Sequence, residues 1–346
     1  MWRPGTWSTV STAQTWLTQN GVTCTRLLLP FRQPADNPLM AMATNREVGG
    51  RDPLTTRVDL SRIRSDLRSA LLAARNQDGG WGYAPGRHSR IEPTCWAELA
   101  LGHSQGRPPV VGSIRAWKRQ VDWLVDVPGA PPNVAFNALA ALTLLQEPAA
   151  IPFPQPIIGR LVQAKGLRLA QNAALGQANS IQAWSWVDGT ASWVEPTAWC
   201  LLLLKRVRSQ SPSRPAAERI RVGEQFLFDR VCQDGGWNYG NPEVYGQKLW
   251  PYVPTTAVAL LALQDLRNHA VVIRSLGQLQ KDVASERSVV AVALSIVCLR
   301  AYGVATDALE QTAIELSAHA DPGNLLGVAM MLYALSDARL QAALRF

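Results

Sequence analysis

The sequence predicts an all-α fold, an α/α toroid of six inner and six outer helices, on three observations. First, the pentapeptide Gln77-Asp78-Gly79-Gly80-Trp81 returns as Gln233-Asp234-Gly235-Gly236-Trp237. Each copy leads through a short polar stretch into a proline and an apolar helical segment, Glu92-Pro93-Thr94-Cys95-Trp96 in one case and Val253-Pro254-Thr255-Thr256-Ala257 in the other. A degraded unit between them reads Trp186-Val187-Asp188-Gly189-Thr190-Ala191-Ser192-Trp193 and then Glu195-Pro196-Thr197-Ala198-Trp199. The spacings lie near multiples of about fifty residues, the range of repeats built from one supersecondary unit. Second, amphipathic helical segments alternate with segments apolar on nearly every side. Third, strand periodicity is absent.

Taken in order, residues 1–56 are rich in Thr, Pro, Arg and Trp, show no periodicity and lack the continuous apolar core of a signal peptide. A poorly ordered N-terminal segment is expected there, and the toroid over 57–346. Leu60, Ile63, Leu67 and Leu71 form an apolar stripe at helical spacing, the first outer helix. It ends at the Asp-Gly-Gly turn, and 94–102 follows as an inner helix opened by a proline, whose missing N–H is harmless at a first position. Ile114, Trp117, Val121 and Leu124 mark the second outer helix and 134–142 the second inner one.

The third pair is 157–169 and 197–204, with 170–182 either an extension of the outer helix or an insertion. Pairs at 216–231 and 255–263, 269–281 and 288–299, and 306–318 and 325–335 complete six hairpins. The breaks fall at Pro- and Gly-rich stretches such as Val127-Pro128-Gly129-Ala130-Pro131-Pro132. A helix apolar all round must be buried all round, and two concentric rings are the simplest way to bury every second helix.

A chain of 346 residues, 47% apolar, is ample for a globular core. Five widely spaced cysteines, Cys24, Cys95, Cys200, Cys232 and Cys298, without a paired metal motif, argue against a disulfide framework and for a cytoplasmic setting. The net charge of +8 is scattered on single arginines such as Arg62, Arg64 and Arg68, with no basic run. Nucleic acid is therefore not expected as a partner, whereas an anionic small molecule or peripheral contact with a membrane is compatible. No apolar run reaches the roughly eighteen residues of a spanning helix.

Alternating antiparallel helices put all six inner N-termini at one end of the ring. Each carries about half a positive charge and unpaired N–H donors, so that mouth suits an anionic group or carboxylates. Glu92 and Glu195, each just before a proline, are expected there.

At these residues the sequence resembles the squalene-hopene cyclase and prenyltransferase superfamily, whose repeats end in Asp-Gly-Gly-Trp and lead into an inner helix opening with acid-x-Thr. The resemblance covers about 58–346 and implies the toroid. It departs from the family where Arg75 and Val231 replace the glutamine that lies three residues before the aspartate. In the resembling cyclases an aspartic acid of an Asp-x-Asp-Asp motif, held protonated, delivers a proton to an alkene or epoxide; an ordinary carboxyl, with a pKa of about 4, is too ionised to do so. The similar stretch here is Trp250-Pro251-Tyr252-Val253-Pro254-Thr255-Thr256-Ala257, with Tyr252 and Pro254 in place of the acids.

Resembling protein prenyltransferases hold zinc with Asp, Cys and His, and the four histidines here form no such set. No cofactor is therefore expected, with magnesium relevant only to a diphosphate substrate; adjacent aspartates, which would bind it, are absent. Asp78, Trp81, Asp234 and Trp237 are expected to be structural, the Asp-Gly turn supplying positive φ and the indole covering a helix end.

The candidate site is the inner mouth. Glu98, Glu92, Glu195 and Asp188 are the candidate catalytic acids, Glu98 first because a buried glutamate without a partner costs several kcal/mol or stays protonated. Trp96, Trp199, Trp193, Trp250 and Tyr252 are the candidate substrate-binding aromatics, whose faces suit a carbocation or a prenyl chain. Capping and core packing are the plainer roles for Glu92, Glu195, Trp96 and Trp199.

The resemblance implies binding of an isoprenoid or other lipid-like small molecule, with cyclisation or transfer by an atypical acid. Squalene cyclases resemble two such toroids in one chain, so an enclosed cavity here would require a dimer or a second subunit. The alternatives are a non-catalytic protein- or lipid-binding module and a carbohydrate-cleaving toroid using Asp188 with Glu195 as its carboxylate pair.

Overall fold

Alternating partly and wholly apolar segments become the two layers of a ring. The computed structural model describes residues 60–102, 119–120, 122–127, 129–146, 154–172, 174–208, 212–318, 321, 323–337 and 340–346, within the compact unit Thr56–Phe346. The described helices are α1 Leu60–Ala73, α2 Ile91–Leu101, α3 Val134–Leu144, α4 Gln155–Gln163, α5 Val194–Val207, α6 Arg214–Asp229, α7 Val253–Ala262, α8 Ala270–Val283, α9 Val289–Ala301, α10 Asp307–Ala318 and α11 Leu325–Leu335. Helices α2, α3, α5, α7, α9 and α11, buried along nearly their whole length, pack each on the next, and α11 packs on α2. The fold is an α/α toroid with α1, α4, α6, α8 and α10 outside. The expected N-terminal segment and the outer-helix residues Ile114, Trp117 and Val121 lie outside the described residues.

One device fixes outer to inner layer in three repeats. The indole N–H groups of Trp81, Trp184 and Trp237 donate to the carbonyls of Leu71, Leu161 and Leu227 at 2.7, 2.8 and 2.7 Å. Their backbone N–H groups donate to the hydroxyls of Thr94, Thr197 and Thr256 at 2.9, 3.2 and 2.9 Å, and each hydroxyl donates back to the same tryptophan's carbonyl. One threonine thus satisfies a backbone N–H that would otherwise be buried unpaired, at about 1–3 kcal/mol, and adds a second donor to a carbonyl that also accepts a backbone N–H. The two layers approach so closely that a Cβ on Gly236 would lie 2.8 Å from Pro251 Cβ and 2.9 Å from Thr256 Oγ1.

This device corrects the alignment of the third repeat. The partner of Thr197 is Trp184, 13 residues before it, as Trp81 is 13 before Thr94. Trp186 and Asp188-Gly189 therefore correspond to Tyr83 and Pro85-Gly86, beyond the tryptophan instead of before it; Gly86 and Gly189 share positive φ at 71° and 75°. In the fourth repeat the separation is 19 residues, because a hairpin of β3 (Glu243–Val244) and β4 (Gln247–Lys248) is inserted. Arg75, where the resembling cyclases have glutamine, lies 5.3 Å from the Trp81 ring centre and donates to the carbonyl of Gly79.

A second device links neighbouring repeats around the ring. The residue two beyond each locked position accepts the first N–H of the adjacent inner helix: Tyr83 O from Leu325 (3.0 Å), Trp186 O from Val134 (2.9 Å) and Tyr239 O from Val194 (3.1 Å). In the second repeat Leu124 is held by the side chain of Asn137, and the carboxylate of Asp126, two residues on, accepts from Ile91 N at 2.6 Å. First-turn amides, which have no partner within their own helix, are satisfied by the neighbour.

Other expectations are corrected locally. Helix α2 starts at Ile91, so Pro93 lies within its first turn and not at its first position, because Asp126 caps Ile91. Helix α4 stops at Gln163; the chain then runs extended, with Leu167 bridged to Ala191 and Leu175 to Val244, so 170–182 is an insertion. Leu124 lies in β2 (Trp123–Leu124), paired with β1 (Arg119–Gln120), so short strands occur where none was expected.

At the C-terminal ends of the inner helices the 3₁₀ turn Leu340–Leu344 packs on α2, α3 and α11. Gln341 donates to the carbonyls of Tyr333 and Ala334, and Gln264 donates to that of Leu344. Beside it, the buried Lys205 ammonium of α5 contacts Glu224 of α6 at 2.7 Å and Asp265 at 2.6 Å.

Candidate functional site

The mouth is the end where the inner helices begin. Arg90, Trp193 and Tyr252 precede α2, α5 and α7 in extended conformation, and their N–H groups donate to the carbonyls of Trp81, Trp184 and Trp237 at 2.8, 2.9 and 2.9 Å. Two residues further on stand Glu92, Glu195 and Pro254, each two before its locking threonine. The carboxylates of α2 and α5 thus occupy the register that proline takes in α7.

Burial governs both carboxyl groups. It raises the pKa of Glu92 above the ordinary 4.5, opposed by the Tyr83 hydroxyl, which donates to Oε2 at 2.7 Å, and reinforced by the charge of Asp126. It pushes Glu195 up to about 7, helped by the charge of Glu92 and opposed by a hydrogen bond from the Trp199 side chain. Asp126 is also raised by burial, against the Ile91 N–H and the Arg90 guanidinium 3.8 Å away. Two neighbouring carboxyls above the usual range, one near neutrality, can hold and deliver a proton.

Below them the centre of the ring is aromatic. Trp96 meets Trp199 edge to face with ring centres 6.0 Å apart, and Tyr333 at 5.6 Å, all three buried. Above them the rim is open. Tyr239 packs tilted on Tyr252 with ring centres 4.9 Å apart and edge to face on Trp193 at 6.4 Å, and all three are exposed.

The predicted residues therefore separate. Glu92, Glu195, Trp96 and Trp199 come together, and Trp193 and Tyr252 join through Tyr239; Trp250 is 73% exposed. Glu98 is buried on another side of α2 with its carboxylate 4.0 Å from Arg75, so the premise of a buried glutamate without a charge partner is corrected. Asp188 sits in an exposed turn, where it accepts the N–H of Gly189, and the carboxyl that acts on Glu195 is Glu92. Tyr83, Asp126, Tyr239 and Tyr333 were not singled out in the sequence. Tyr83 and Tyr239 each stand two residues after a motif tryptophan, a usable signal; Asp126 carries none, because its repeat has no tryptophan motif.

Among the described residues no group of three or more His, Cys, Asp or Glu is placed to hold a metal ion, and no helix is long and apolar enough to cross a membrane. Cys95, Cys200, Cys232 and Cys298 are free and buried.

No family model matches the chain, and no curated protein does. Solved structures do. An inactive variant of the α-1,6-mannanase GH76A of Salegentibacter sp. HEL1_6, in complex with α-1,6-mannotriose, is similar over 80% of this chain and 98% of its own, at 9% identity and a TM-score of 0.55. A family 76 glycoside hydrolase from a bovine Bacteroides thetaiotaomicron strain is similar over 81% and 77%, at 12% identity and 0.55. The type II terpene cyclase MstE from Scytonema, in complex with merosterolic acid A, is similar over 82% and 97%, at 13% identity and 0.50. At such identities the likeness is one of fold, and two chemistries share it.

Proposed function

We propose that the mouth of the ring is an acid–base site for an isoprenoid or similar lipid-like molecule, with Glu195 as proton donor. The observation that carries this is the pKa of Glu195, about 7, at the register where α7 has proline and the resembling cyclases have an acid. A substantial fraction of Glu195 is then protonated near neutral pH. Transfer of its proton to an alkene carbon turns the π pair into a C–H bond and leaves a carbocation, which aromatic faces stabilise. The carboxylate that remains keeps the Trp199 hydrogen bond, and loss of a proton from the cation restores the acid. Burial, with the charge of Glu92 second, holds Glu195 high, and Tyr83 orients Glu92.

The test is mass spectrometry of extracts after incubation with squalene, oxidosqualene, farnesyl diphosphate and geranylgeranyl diphosphate, with and without magnesium. The expected result is a cyclised product lost in Glu195→Gln and retained in Glu98→Gln. Substrate recovered intact, or a product that survives Glu195→Gln, overturns the assignment; intact substrate retained on the protein would point to a binding module.

One observation favours a second function, cleavage of a glycoside. Glu92 and Glu195 are two interacting carboxyls, both raised by burial, beneath exposed aromatic faces suited to sugar rings. Release of reducing ends from a panel of oligosaccharides that includes α-1,6-linked mannans, abolished by either Glu→Gln change, would establish it in place of the first.

A further inference from the structure

Most of the large apolar side chains exposed among the described residues belong to two segments, 167–193 and 239–252, that meet beside the mouth. Leu167 and Leu169 come from the insertion after α4, and they line one shallow cavity together with Trp193 and Tyr239. Tyr252 packs on Tyr239, and the exposed Leu249 and Trp250 lead into it along the chain. These residues form one continuous face. Single exposed apolar side chains are ordinary, whereas a gathering of them marks a contact surface.

The face is held in shape by its backbone. Leu167 N donates to Thr190 O at 2.7 Å, Leu169 N to Asn179 O at 3.3 Å, and Tyr245 N to Ala174 O at 2.7 Å. Tyr245, 82% exposed, forms with Gly246 the two-residue tip of the β3–β4 hairpin, at φ of 50° and 75°. Such a turn favours asparagine or glycine at both positions, and a tyrosine so exposed gains no packing to offset the strain. Its ring is displayed outward, as a contact residue must be.

Charge identifies the partner. Lys165 and Arg168, on either side of Leu167, are exposed and form no ion pair with a described residue. Lys248 is paired with Glu243 on the hairpin, so with Asp188 on the adjoining turn the face remains positive, as does the chain at +8. We propose that this face docks peripherally on an anionic lipid bilayer. Tryptophan and tyrosine rings settle at headgroup depth with the leucines just below them, while Lys165 and Arg168 reach the lipid phosphates. A sugar chain fits less well, since Tyr239 is inclined 48° to Tyr252 and 61° to Trp193 and the rings make no flat platform. A second copy of the chain would set two positive faces together. The docking requires nothing of Glu195, although a docked mouth would open beside the lipid.

The experiment is co-sedimentation of the whole chain with phosphatidylglycerol vesicles and, in parallel, with phosphatidylcholine vesicles. Binding to the anionic vesicles is expected, lost on raising the salt and weakened about tenfold when Tyr245→Asn and Trp250→Ser are combined. Ile273→Ser, at an exposed site on the outer helix α8, should bind as the unmodified chain does. Absence of binding, equal binding to both vesicles, or a loss in Ile273→Ser as large as in the double variant overturns the proposal. So does a dimer in sedimentation velocity that the double variant abolishes, which would assign the face to a second copy. Should the double variant fail to fold, Lys165→Gln with Arg168→Gln decides: weaker binding to the anionic vesicles supports the docking and unchanged binding refutes it.

Discussion

The carbonyl oxygen of Tyr83 accepts the backbone N–H of Leu325 at 3.0 Å, so the first repeat is bonded to the last inner helix and the ring is closed by a hydrogen bond as well as by packing. The same link recurs at Val134 and Val194 through backbone carbonyls and at Ile91 through Asp126. First-turn helix amides ordinarily exchange fast with solvent. Hydrogen exchange should find these four amides protected about as strongly as mid-helix amides of α5 or α7. Fast exchange at all four would deny the closure.

The threonine lock predicts a graded loss. Thr197→Val removes the hydroxyl and leaves the Trp184 N–H unpaired, while the Trp184 carbonyl keeps the Trp193 N–H, so it should cost about 1–3 kcal/mol in urea unfolding. Thr197→Ser keeps the hydroxyl and should recover most of that. Equal losses in the two would show that the methyl group, and not the hydrogen bonds, matters at this position.

Gly236 has φ of 73° and no room for a methyl group beside Pro251 and Thr256. Gly236→Ala is expected to cost about 2–3 kcal/mol, from strain and overpacking together. Gly189 has a similar φ, 75°, but nothing within reach of a Cβ, so Gly189→Ala should cost less. Comparison of the two melting temperatures separates strain from crowding.

Lys205 is buried between Glu224 and Asp265. Lys205→Met removes the cation that Glu224 and Asp265 share, leaving Asp265 only Arg208 at 3.3 Å, and should cost about 3–5 kcal/mol at pH 7. The same substitution made together with Glu224→Gln and Asp265→Asn should recover most of it. A triple variant no better than the single one would show that the lysine acts by packing alone.

Glu195 gives stability a pH dependence of definite sign. Its folded value, about 7, lies above the ordinary 4.5, so the folded state holds the proton more tightly. Its contribution is complete below pH 4.5 and is lost as pH rises to about 7, up to about 3 kcal/mol. Glu92, raised in the same direction, adds to the trend. Unfolding free energies measured from pH 4 to 8 should fall more steeply for the unmodified protein than for Glu195→Gln, and parallel curves would contradict the raised value.

The sequence by itself determined the layered helical ring. Apolar periodicity is local and survives any tertiary arrangement: Leu60, Ile63, Leu67 and Leu71 can only be one stripe of a helix, and a segment such as α11, apolar on all sides, can only be interior. It also placed Glu92 with Trp96 and Glu195 with Trp199, since residues four apart share a helix face. Glu98 lies two residues beyond Trp96, about 200° further round the helix, and so faces Arg75 of the outer layer instead of the mouth. Only the tertiary structure decided which carboxyl meets which. Glu92 and Glu195 belong to helices separated in the ring by α3, and their proton affinities depend on mutual distance and burial, which no local pattern records. The same holds for the third repeat, where the lock depends on a tryptophan meeting a threonine across two layers and not on the Asp-Gly turn, so an alignment on that turn slips past Trp184.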